Sequence, residues 1–414
     1  MDAGEVLVGR DAAGGHRVLG VAVVRESELT RVTRVALVGG AVVRKEPLGP
    51  DACRRLQREL GMLERLRGVE GVAQLADTPC LPGSIVLADA GSRSLAGLAK
   101  PMAADDLIEL AVPLARAVSG MHRRGVLHGD IAPANVVISR TGAPCLVDFA
   151  VASSLAEIRP EFTHHNEIVG TLAYLAPERT GRTGRSVDQR ADLYALGATL
   201  YELATGTPPF GSGDPLRLAH DHLARVAVSP ARLNPALPEP LSQIIMHLLE
   251  KEPDHRYQTA EGLIHDLERL GDATRPGAAA LQVGERDVAP RLLTPSRLAG
   301  RDAALEQLQA AFADALAGRC RGVLVGGVPG VGKTALVDQL RPMVASRDGW
   351  FVAGKFDQYR RDLEFDAVYQ ALRGLGRLLL AEPEDELCEV RERILAAVGP
   401  NAALLVAGGV VDRA

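Results

Sequence analysis

The sequence predicts an α+β domain over residues 1–270, followed by the start of an α/β domain. Residues 1–50 carry short runs of β-branched residues separated by glycine turns, a pattern typical of short strands. From Asp51 to Leu270 the apolar residues mostly repeat at helical spacing. After a stretch rich in proline and glycine, the chain resumes with an apolar run that leads into a glycine-rich loop. A strand-rich part followed by a helix-rich part is typical of an α+β fold.

Composition narrows the class of protein. The chain has 414 residues, of which 47% are hydrophobic, enough for two or three domains with sizeable cores. Its net charge of −5 argues against a dedicated nucleic-acid binder. The five cysteines lie far apart without a C-x-x-C pair, which favours reduced thiols over a disulfide frame or a zinc site. Because no apolar run approaches the ~20 residues of a membrane span, we expect a cytoplasmic protein without one.

Two helices are predicted before the first polar motif. The first begins after Asp51, which we expect to cap it, and its apolar side chains repeat at helical spacing at Leu56, Leu60, Leu63 and Leu66. The second is expected from Asp105 to Arg124, with Pro113 inside it, where proline would kink the helix or move its start. Residues 188–270 are also predicted to be rich in helix.

Three polar motifs then follow in fixed order: His128–Asn135, with the sequence HGDIAPAN, then Asp148-Phe149-Ala150, and Ala176-Pro177-Glu178. Two predicted strands joined by a turn would bring Asn135 and Asp148 together. Phosphoryl transfer needs a carboxylate that accepts the hydroxyl proton, and an amide and a second carboxylate that hold magnesium against the phosphates. Asp130 fits the first role, and Asn135 and Asp148 fit the second, so ATP and Mg²⁺ are the expected cofactors.

Together these motifs resemble the catalytic loop, the metal-binding loop and the end of the activation segment of a protein kinase. The resemblance implies a two-lobed protein kinase fold that transfers the γ-phosphoryl of Mg-ATP to serine or threonine of a protein substrate. It also implies a lysine against the α- and β-phosphates, here Lys45, held by Glu59 on the following helix. The alternative is that Lys45 is a solvated charge and that Glu59 pairs with Arg55 or Arg58 of its own helix.

The same resemblance implies three contacts that hold the second lobe together. Thr171 would hydrogen-bond near Asp130, Glu178 would pair with Arg256, and Asp192 would bind the backbone of the catalytic loop. These residues lie far apart in the sequence, so their contacts are a strict test of the predicted fold.

Several positions depart from the kinase pattern. Gly129 replaces the usual arginine, Ala132 replaces a lysine that contacts the transferred phosphate, and Ala150 replaces a glycine. No G-x-G-x-x-G loop occurs near the start of the chain, where the available glycines are Gly9, Gly14 and Gly15. These departures leave open an alternative function, a nucleotide-gated scaffold or pseudokinase that binds ATP without phosphotransfer.

Gly129 leads to an expectation about regulation. An arginine at this position can pair with a phosphate on the activation segment and order that segment. Glycine offers no such charge, so a phosphate at Thr163 or Thr171 would lack that partner. We therefore expect activity that does not depend on phosphorylation of the activation segment.

A second nucleotide site is predicted from residues 327–334, which fit G-x-x-x-x-G-K-[ST]. Backbone N–H groups at Gly327, Gly330 and Gly332 would cradle the phosphates, Lys333 would reach the β- and γ-oxygens, and Thr334 would ligate magnesium. No second acidic residue follows a convincing buried strand, so we expect negligible ATP hydrolysis at this site.

The surrounding sequence defines the predicted domain organisation. A linker is expected over residues 271–297, then an incomplete P-loop ATPase domain of α/β type over 298–414, with a helix from Asp302 to Leu316 and a buried strand at 322–325. This combination resembles the N-terminal part of large bacterial multidomain signalling proteins that join a serine/threonine kinase, an ATP-binding domain and a sensor histidine kinase. The resemblance implies sensor and histidine kinase modules as downstream partners.

Overall fold

The structure is a computed structural model that describes most of the first 345 residues. The described ranges are 18–38, 40–77, 83–154, 172–180, 187–273, 282–288, 300–328 and 331–345, with shorter pieces between 347 and 396. Several residues singled out above lie outside the described ranges: Gly9, Gly14, Gly15, Thr163, Thr171 and Gly330.

The first lobe is built on an antiparallel sheet of four strands in the order β1-β2-β3-β4. These strands are β1 (Val18–Glu26), β2 (Thr30–Leu37), β3 (Gly40–Pro47) and β4 (Ile85–Ala88). The predicted strand-rich start is therefore confirmed for the described residues. Lys45 in β3 lies opposite Val32 of β2 and Ile85 of β4, so its backbone is fixed from both sides.

Helix α1 (Ala52–Arg65) follows β3 where the leucine spacing predicted it. Leu63 is buried, as is Leu66, which directly follows the helix. The role expected for Asp51 is wrong, because its side chain makes no capping hydrogen bond and its backbone is left-handed, with φ of 56°. In that conformation Asp51 provides the turn into the helix, and aspartate tolerates this conformation better than most residues do.

The next part of the chain carries the catalytic loop. It contains β5 (Arg93–Ser94), α2 (Ala104–Arg123), β6 (Val126–Leu127), β7 (Val136–Ile138), β8 (Pro144–Leu146) and β9 (Ser153–Ser154). The predicted long helix and the predicted hairpin are both confirmed. Strands β7 and β8 pair antiparallel, so the residues that flank the hairpin are brought side by side.

The second lobe is helical. Its helices are α3 (Gln189–Thr205), α4 (Pro215–Ala224), α5 (Pro230–Leu233), α6 (Glu239–Leu248) and α7 (Ala260–Ala273). Residues 190–204 of α3 are all buried, and a helix without an exposed face is a central core element. Because α3 is enclosed in this way, polar groups on it are held in fixed positions beneath the catalytic loop.

Residues 282–288, inside the predicted linker, pack against the second lobe, and we call them the strap. The Asp287 carboxylate accepts hydrogen bonds from the Thr259 backbone N–H at 3.0 Å and the Thr259 hydroxyl at 2.7 Å, just before α7 begins. Gly284 N–H donates to buried Asp266 at 2.7 Å. A Cβ at Gly262 would lie 2.4 Å from an Asp287 oxygen, so glycine is needed for this close approach.

The third part of the chain begins with α8 (Asp302–Leu316), as predicted, and continues with α9 (Lys333–Asp338) and α10 (Leu340–Ala345). The strand predicted at 322–325 is wrong, since these residues are not in a strand and Leu324 is 98% exposed. A buried parallel strand needs neighbouring strands, and the described residues supply none beside this run. Within the described part of the chain, no helix is long and apolar enough to cross a bilayer.

Candidate active site

A lysine between two carboxylates joins the sheet to the loop after β8. Lys45 Nζ donates to Glu59 Oε1 at 2.7 Å and also bonds to Asp148 Oδ1. The Lys45 and Glu59 side chains are each 7% exposed, which rules out the alternative of a solvated lysine and a Glu59 paired on its own helix. Glu59 Oε1 also accepts a hydrogen bond from the backbone N–H of Phe149 at 3.2 Å. Glu59 therefore links α1 both to Lys45 in β3 and to the loop after β8.

Burial and charge set the protonation of this group. Burial lowers the pKa of Lys45, but the Asp148 and Glu59 carboxylates outweigh it and leave the pKa above its ordinary value. Burial acts to raise the pKa of Asp148, but Lys45 and then Arg25 reverse this and hold it below its ordinary value. Burial raises the pKa of Glu59, and Lys45 only partly offsets it. Asp148 is therefore the carboxylate best kept ionised as a metal ligand.

The catalytic loop brings Asp130 and Asn135 together. Asn135 Nδ2 donates to Asp130 Oδ2 at 2.7 Å and to the Asp130 carbonyl at 3.0 Å. The Asn135 carbonyl accepts the Val147 N–H at 2.9 Å, which places the loop directly beside Asp148. The amide nitrogen of Asn135 is thus used to fix Asp130, which leaves its amide oxygen for a metal.

Oxygen donors suit magnesium. The Asn135 amide oxygen and the Asp148 carboxylate are hard ligands of the kind that Mg²⁺ prefers, usually with water and substrate phosphates completing its shell. Asp148 has a left-handed backbone, with φ of 67°, which is uncommon for a residue other than glycine. Such a conformation persists only where the surroundings enforce it, and the bonds from Lys45 do so here.

Two histidines and a buried aspartate hold the catalytic loop from below. Asp192 of α3 accepts the N–H groups of His128 and Gly129, each at 2.9 Å, and contacts His122 Nε2 at 3.0 Å. His128 Nδ1 accepts the Asp130 N–H at 3.2 Å, so its Nε2 carries the proton and donates to a backbone carbonyl at 3.1 Å. The sequence predicted the role of Asp192 but not those of the histidines.

Burial acts to raise the pKa of Asp192, but His122, His128 and the loop N–H groups reverse it and hold this pKa below its ordinary value. The carboxylate therefore stays charged and keeps its bonds to the loop backbone at neutral pH. In this way α3 fixes the position of Asp130 without touching it.

The predicted pair of Glu178 and Arg256 is present. Arg256 donates to both Glu178 oxygens, at 2.7 and 2.8 Å, and the two side chains are 1% and 0% exposed. A forked, buried pair of this kind fixes geometry as well as charge. It fastens the end of residues 172–180 to the second lobe, beside the catalytic loop.

Another arginine lies directly over Gly129. A Cβ built on Gly129 would lie 2.6 Å from Nη1 and 3.0 Å from Nη2 of Arg179. Arg179 and Gly129 line one small pocket together with Asp130 and Tyr174. No sequence pattern indicates this contact, because Arg179 follows Glu178 in a segment whose expected roles involve Thr171 and Glu178 only.

The turn on the phosphate side of the site also has no signature in the sequence. The β1–β2 turn consists of Ser27, Glu28 and Leu29, beside β3 and its Lys45, and contains no glycine. Arg25, at the end of β1, reaches Asp148 Oδ2 at 3.4 Å from a largely exposed position. The phosphate side of the site thus has an arginine where a glycine-rich loop would supply backbone N–H groups.

The described part of the second nucleotide site has a loop and a helix start. Gly327 and Gly332 have positive φ, and α9 begins at Lys333. Lys333 Nζ donates to the carbonyls of Gly327 and Val328, at 2.8 and 3.0 Å, so it folds over its own loop. Thr334 is in the first turn of α9, as its expected role as a magnesium ligand requires.

Comparison with known families agrees with these sites. Residues 32–267 match the protein kinase domain, and residues 297–412 match an AAA ATPase domain. The first match covers more than half of the chain, which therefore belongs to the protein kinase family. The strand-rich and helical lobes described above are the two lobes of that domain, and the AAA ATPase match follows them.

The chain is similar to curated bacterial kinases. Serine/threonine-protein kinase PknB of Mycolicibacterium smegmatis is 36% identical over 178 residues, which cover 43% of this chain and 28% of that protein. PknB of Mycobacterium tuberculosis is 35% identical over 178 residues, which again cover 43% of this chain and 28% of that protein. A probable serine/threonine-protein kinase of Clostridium perfringens is 32% identical over 188 residues, 45% of this chain and 27% of the relative. The matched stretch thus spans less than a third of these relatives.

Proposed function

We propose that the chain is a serine/threonine protein kinase that transfers the γ-phosphoryl of Mg-ATP to hydroxyl groups of a protein substrate. The observation that carries this proposal is the grouping of Lys45, Glu59 and Asp148 beside the bonded pair of Asp130 and Asn135. Its similarity to bacterial serine/threonine kinases supports the same reaction.

Each residue has a separate task in this mechanism. Lys45, held by Glu59, binds the α- and β-phosphates. Asn135 and Asp148 would hold magnesium, which when bound would neutralise charge on the phosphates. Asp130 accepts the proton of the attacking hydroxyl, in the orientation that Asn135 imposes. Because Asp192 holds the loop backbone, the carboxylate meets the substrate in a prearranged position.

The test is Asp130→Asn. Asparagine cannot accept the proton, so phosphotransfer to a generic basic substrate should fall at least ~100-fold, while ATP affinity should hardly change. Labelled ATP measures transfer, and calorimetric titration measures ATP binding. Asp106→Asn, at the exposed start of α2, is the matched control. Equal transfer by Asp130→Asn and wild type would refute the catalytic assignment.

A nucleotide-gated scaffold is the second candidate. The observation that favours it is the β1–β2 turn, where Glu28 is exposed and glycine is lacking. Without glycines in this turn to position the transferred phosphate, and without the charge that Ala132 removes from the transition-state clamp, ATP would bind with little transfer. ATP binding without measurable transfer by the wild-type chain would favour this second function.

For the rest of the chain we propose an ATP-binding role coupled to signalling. In this proposal residues 1–270 form the kinase domain, 271–297 connect the domains, and 298–414 belong to a P-loop ATPase domain in which Lys333 and Thr334 bind nucleotide and magnesium. The same proposal includes sensor and histidine kinase modules as downstream partners. It also includes a location in the cytoplasm, where ATP and Mg²⁺ are supplied.

A further inference from the structure

A β-bulge in β1 places an arginine on the same face of the sheet as Lys45. The pairing of β1 with β2 shifts by one residue between Val23 and Arg25, so that Val24 is the extra residue. Arg25 thereby lies opposite Val32, which in turn lies opposite Lys45 of β3. Side chains of directly opposed residues lie on one face of a sheet. Without the bulge Val24 would take this place, because successive residues of a strand point to opposite faces.

Asp148 is therefore approached by cations from two different strands. Lys45 of β3 bonds to its Oδ1, and Arg25 of β1 lies 3.4 Å from its Oδ2. Strands β1 and β3 are separated by β2, which puts their backbones about 10 Å apart. The Lys45 side chain is buried, whereas that of Arg25 is 62% exposed. Lys45 thus lies on the inner side of the carboxylate and Arg25 on its solvent side.

Two N–H groups of the β1–β2 turn are used inside the turn itself. The Ser27 N–H donates to the Thr30 carbonyl at 2.9 Å, and the Thr30 N–H donates to the Ser27 hydroxyl at 3.1 Å. The side chains of Glu28 and Leu29 also keep the backbone from approaching phosphates as closely as glycine would allow. A side chain with several donors is better suited to phosphates on this side of the site, and Arg25 is such a side chain.

We propose that Arg25 is a nucleotide-binding residue that contacts the β- and γ-phosphates of ATP in place of a glycine-rich loop. A guanidinium presents a planar fork of N–H donors that matches two phosphate oxygens. The β- and γ-phosphates are those that a metal on Asp148 would bridge, and Arg25 already contacts this carboxylate from the solvent side. Lys45 serves the inner phosphates. The proposal rests on the proposed function only in taking ATP as the nucleotide of the kinase domain.

The contact with Asp148 holds Arg25 close to this position without fixing it there. An ion pair between atoms 3.4 Å apart with one exposed partner is weak. Exchanging the carboxylate for phosphate oxygens, which carry more charge, is therefore favourable. The arginine can move to the nucleotide while Asp148 becomes free on its Oδ2 side.

Calorimetric titration with nucleotides tests the proposal without relying on catalysis. Every chain carries Lys333→Ala, which weakens the P-loop site, so that the heat reports binding to the kinase domain. Arg25→Gln should weaken ATP binding about tenfold, both with Mg²⁺ and with EDTA. The affinity for AMP should not change, because AMP lacks the β- and γ-phosphates.

Arg31→Gln is the matched control. Arg31 lies on the same hairpin, is 45% exposed and pairs with Glu26. It directly precedes Val32 in β2, so its side chain lies on the opposite face of the sheet from Arg25. The substitution removes the same charge at nearly the same place, and ATP affinity should stay unchanged.

Four results would overturn the proposal. These are an ATP affinity unchanged in Arg25→Gln, an equal loss for AMP, an equal loss in Arg31→Gln, and a loss seen only with Mg²⁺, which would show that Arg25 acts through Asp148. Phosphotransfer is measured separately with labelled ATP. If Arg25→Gln weakens ATP binding as expected but the wild-type chain transfers no phosphoryl group, the kinase reaction is refuted and this proposal stands. If phosphotransfer occurs but Arg25→Gln binds ATP normally, this proposal alone is refuted, and a Lys333→Ala chain that binds no ATP refutes both.

Discussion

Removing one partner of the buried pair between Glu178 and Arg256 should strongly destabilise the second lobe. In Glu178→Ala the guanidinium keeps only backbone carbonyls as partners, those of Glu250 at 2.6 Å, Lys251 at 2.9 Å and Arg190 at 3.1 Å. Its charge then lies in a fully buried position without a counter-charge. Breaking a buried pair in this way costs about 3–5 kcal/mol of unfolding free energy.

The double variant Glu178→Leu/Arg256→Met separates charge from packing. Because both charges are gone, it should be more stable than Glu178→Leu or Arg256→Met alone, and the cycle of these three variants should give a coupling energy of about 2 kcal/mol or more. Urea unfolding followed by far-UV circular dichroism is the suitable assay. Fluorescence is not, because the single tryptophan, Trp350, lies outside both kinase lobes.

An exposed ion pair serves as the control. Arg116 and Glu268 are 63% and 47% exposed, so Glu268→Ala should change the unfolding free energy by less than about 1 kcal/mol. If Glu178→Ala is no more destabilising than Glu268→Ala, the buried pair does not hold the lobe as argued. Loss of the pair should also reduce phosphotransfer, since it fastens the residues that line the pocket beside Asp130.

Two further predictions concern lysines. Lys333→Ala should weaken ATP binding at the P-loop site and leave phosphotransfer unchanged. We also expect negligible ATP hydrolysis at this site. Hydrolysis that survives Asp130→Asn but disappears in Lys333→Ala would contradict that expectation. Burial, and next the charge of Arg256, lower the pKa of Lys251 to about 7. The unfolded chain therefore binds more protons there than the folded chain between about pH 7 and 10, so stability rises across this range. Lys251→Met should flatten that rise in urea unfolding measured at several pH values, and an unchanged slope would contradict it.

The residues expected near ATP were largely accessible from the sequence. Lys45, Asp130, Asn135 and Asp148 lie in short motifs whose residue types are dictated by phosphate and metal chemistry. Because Asn135 and Asp148 flank a simple hairpin, their proximity could be derived from local strand prediction, whereas the place of Lys45 came from the family resemblance. The distant pair of Glu178 and Arg256 came from the family resemblance and not from any local pattern.

Other contacts have no local signature. Arg179 reaches Gly129 across 50 positions of sequence, and neither the spacing nor the type of these residues indicates the contact. The capping role expected for Asp51 was wrong because a favourable cap residue can also adopt a left-handed turn. Likewise, an apolar run such as 322–325 forms a buried strand only where other strands cover it, and short apolar runs do not encode that condition.

The strap changes how far the two nucleotide-binding parts of the chain can separate. Without it, the whole stretch from the end of α7 to Gly300 would act as a tether. With Asp287 fixed at the start of α7, only residues 289–299 remain between the kinase lobe and the ATPase part. About 11 residues span at most ~40 Å even when fully extended. A tether this short raises the effective concentration of each part at the surface of the other, since that concentration falls steeply with linker length. Weak contacts between them, too weak to matter for separate proteins, would then be sufficient to couple the two sites.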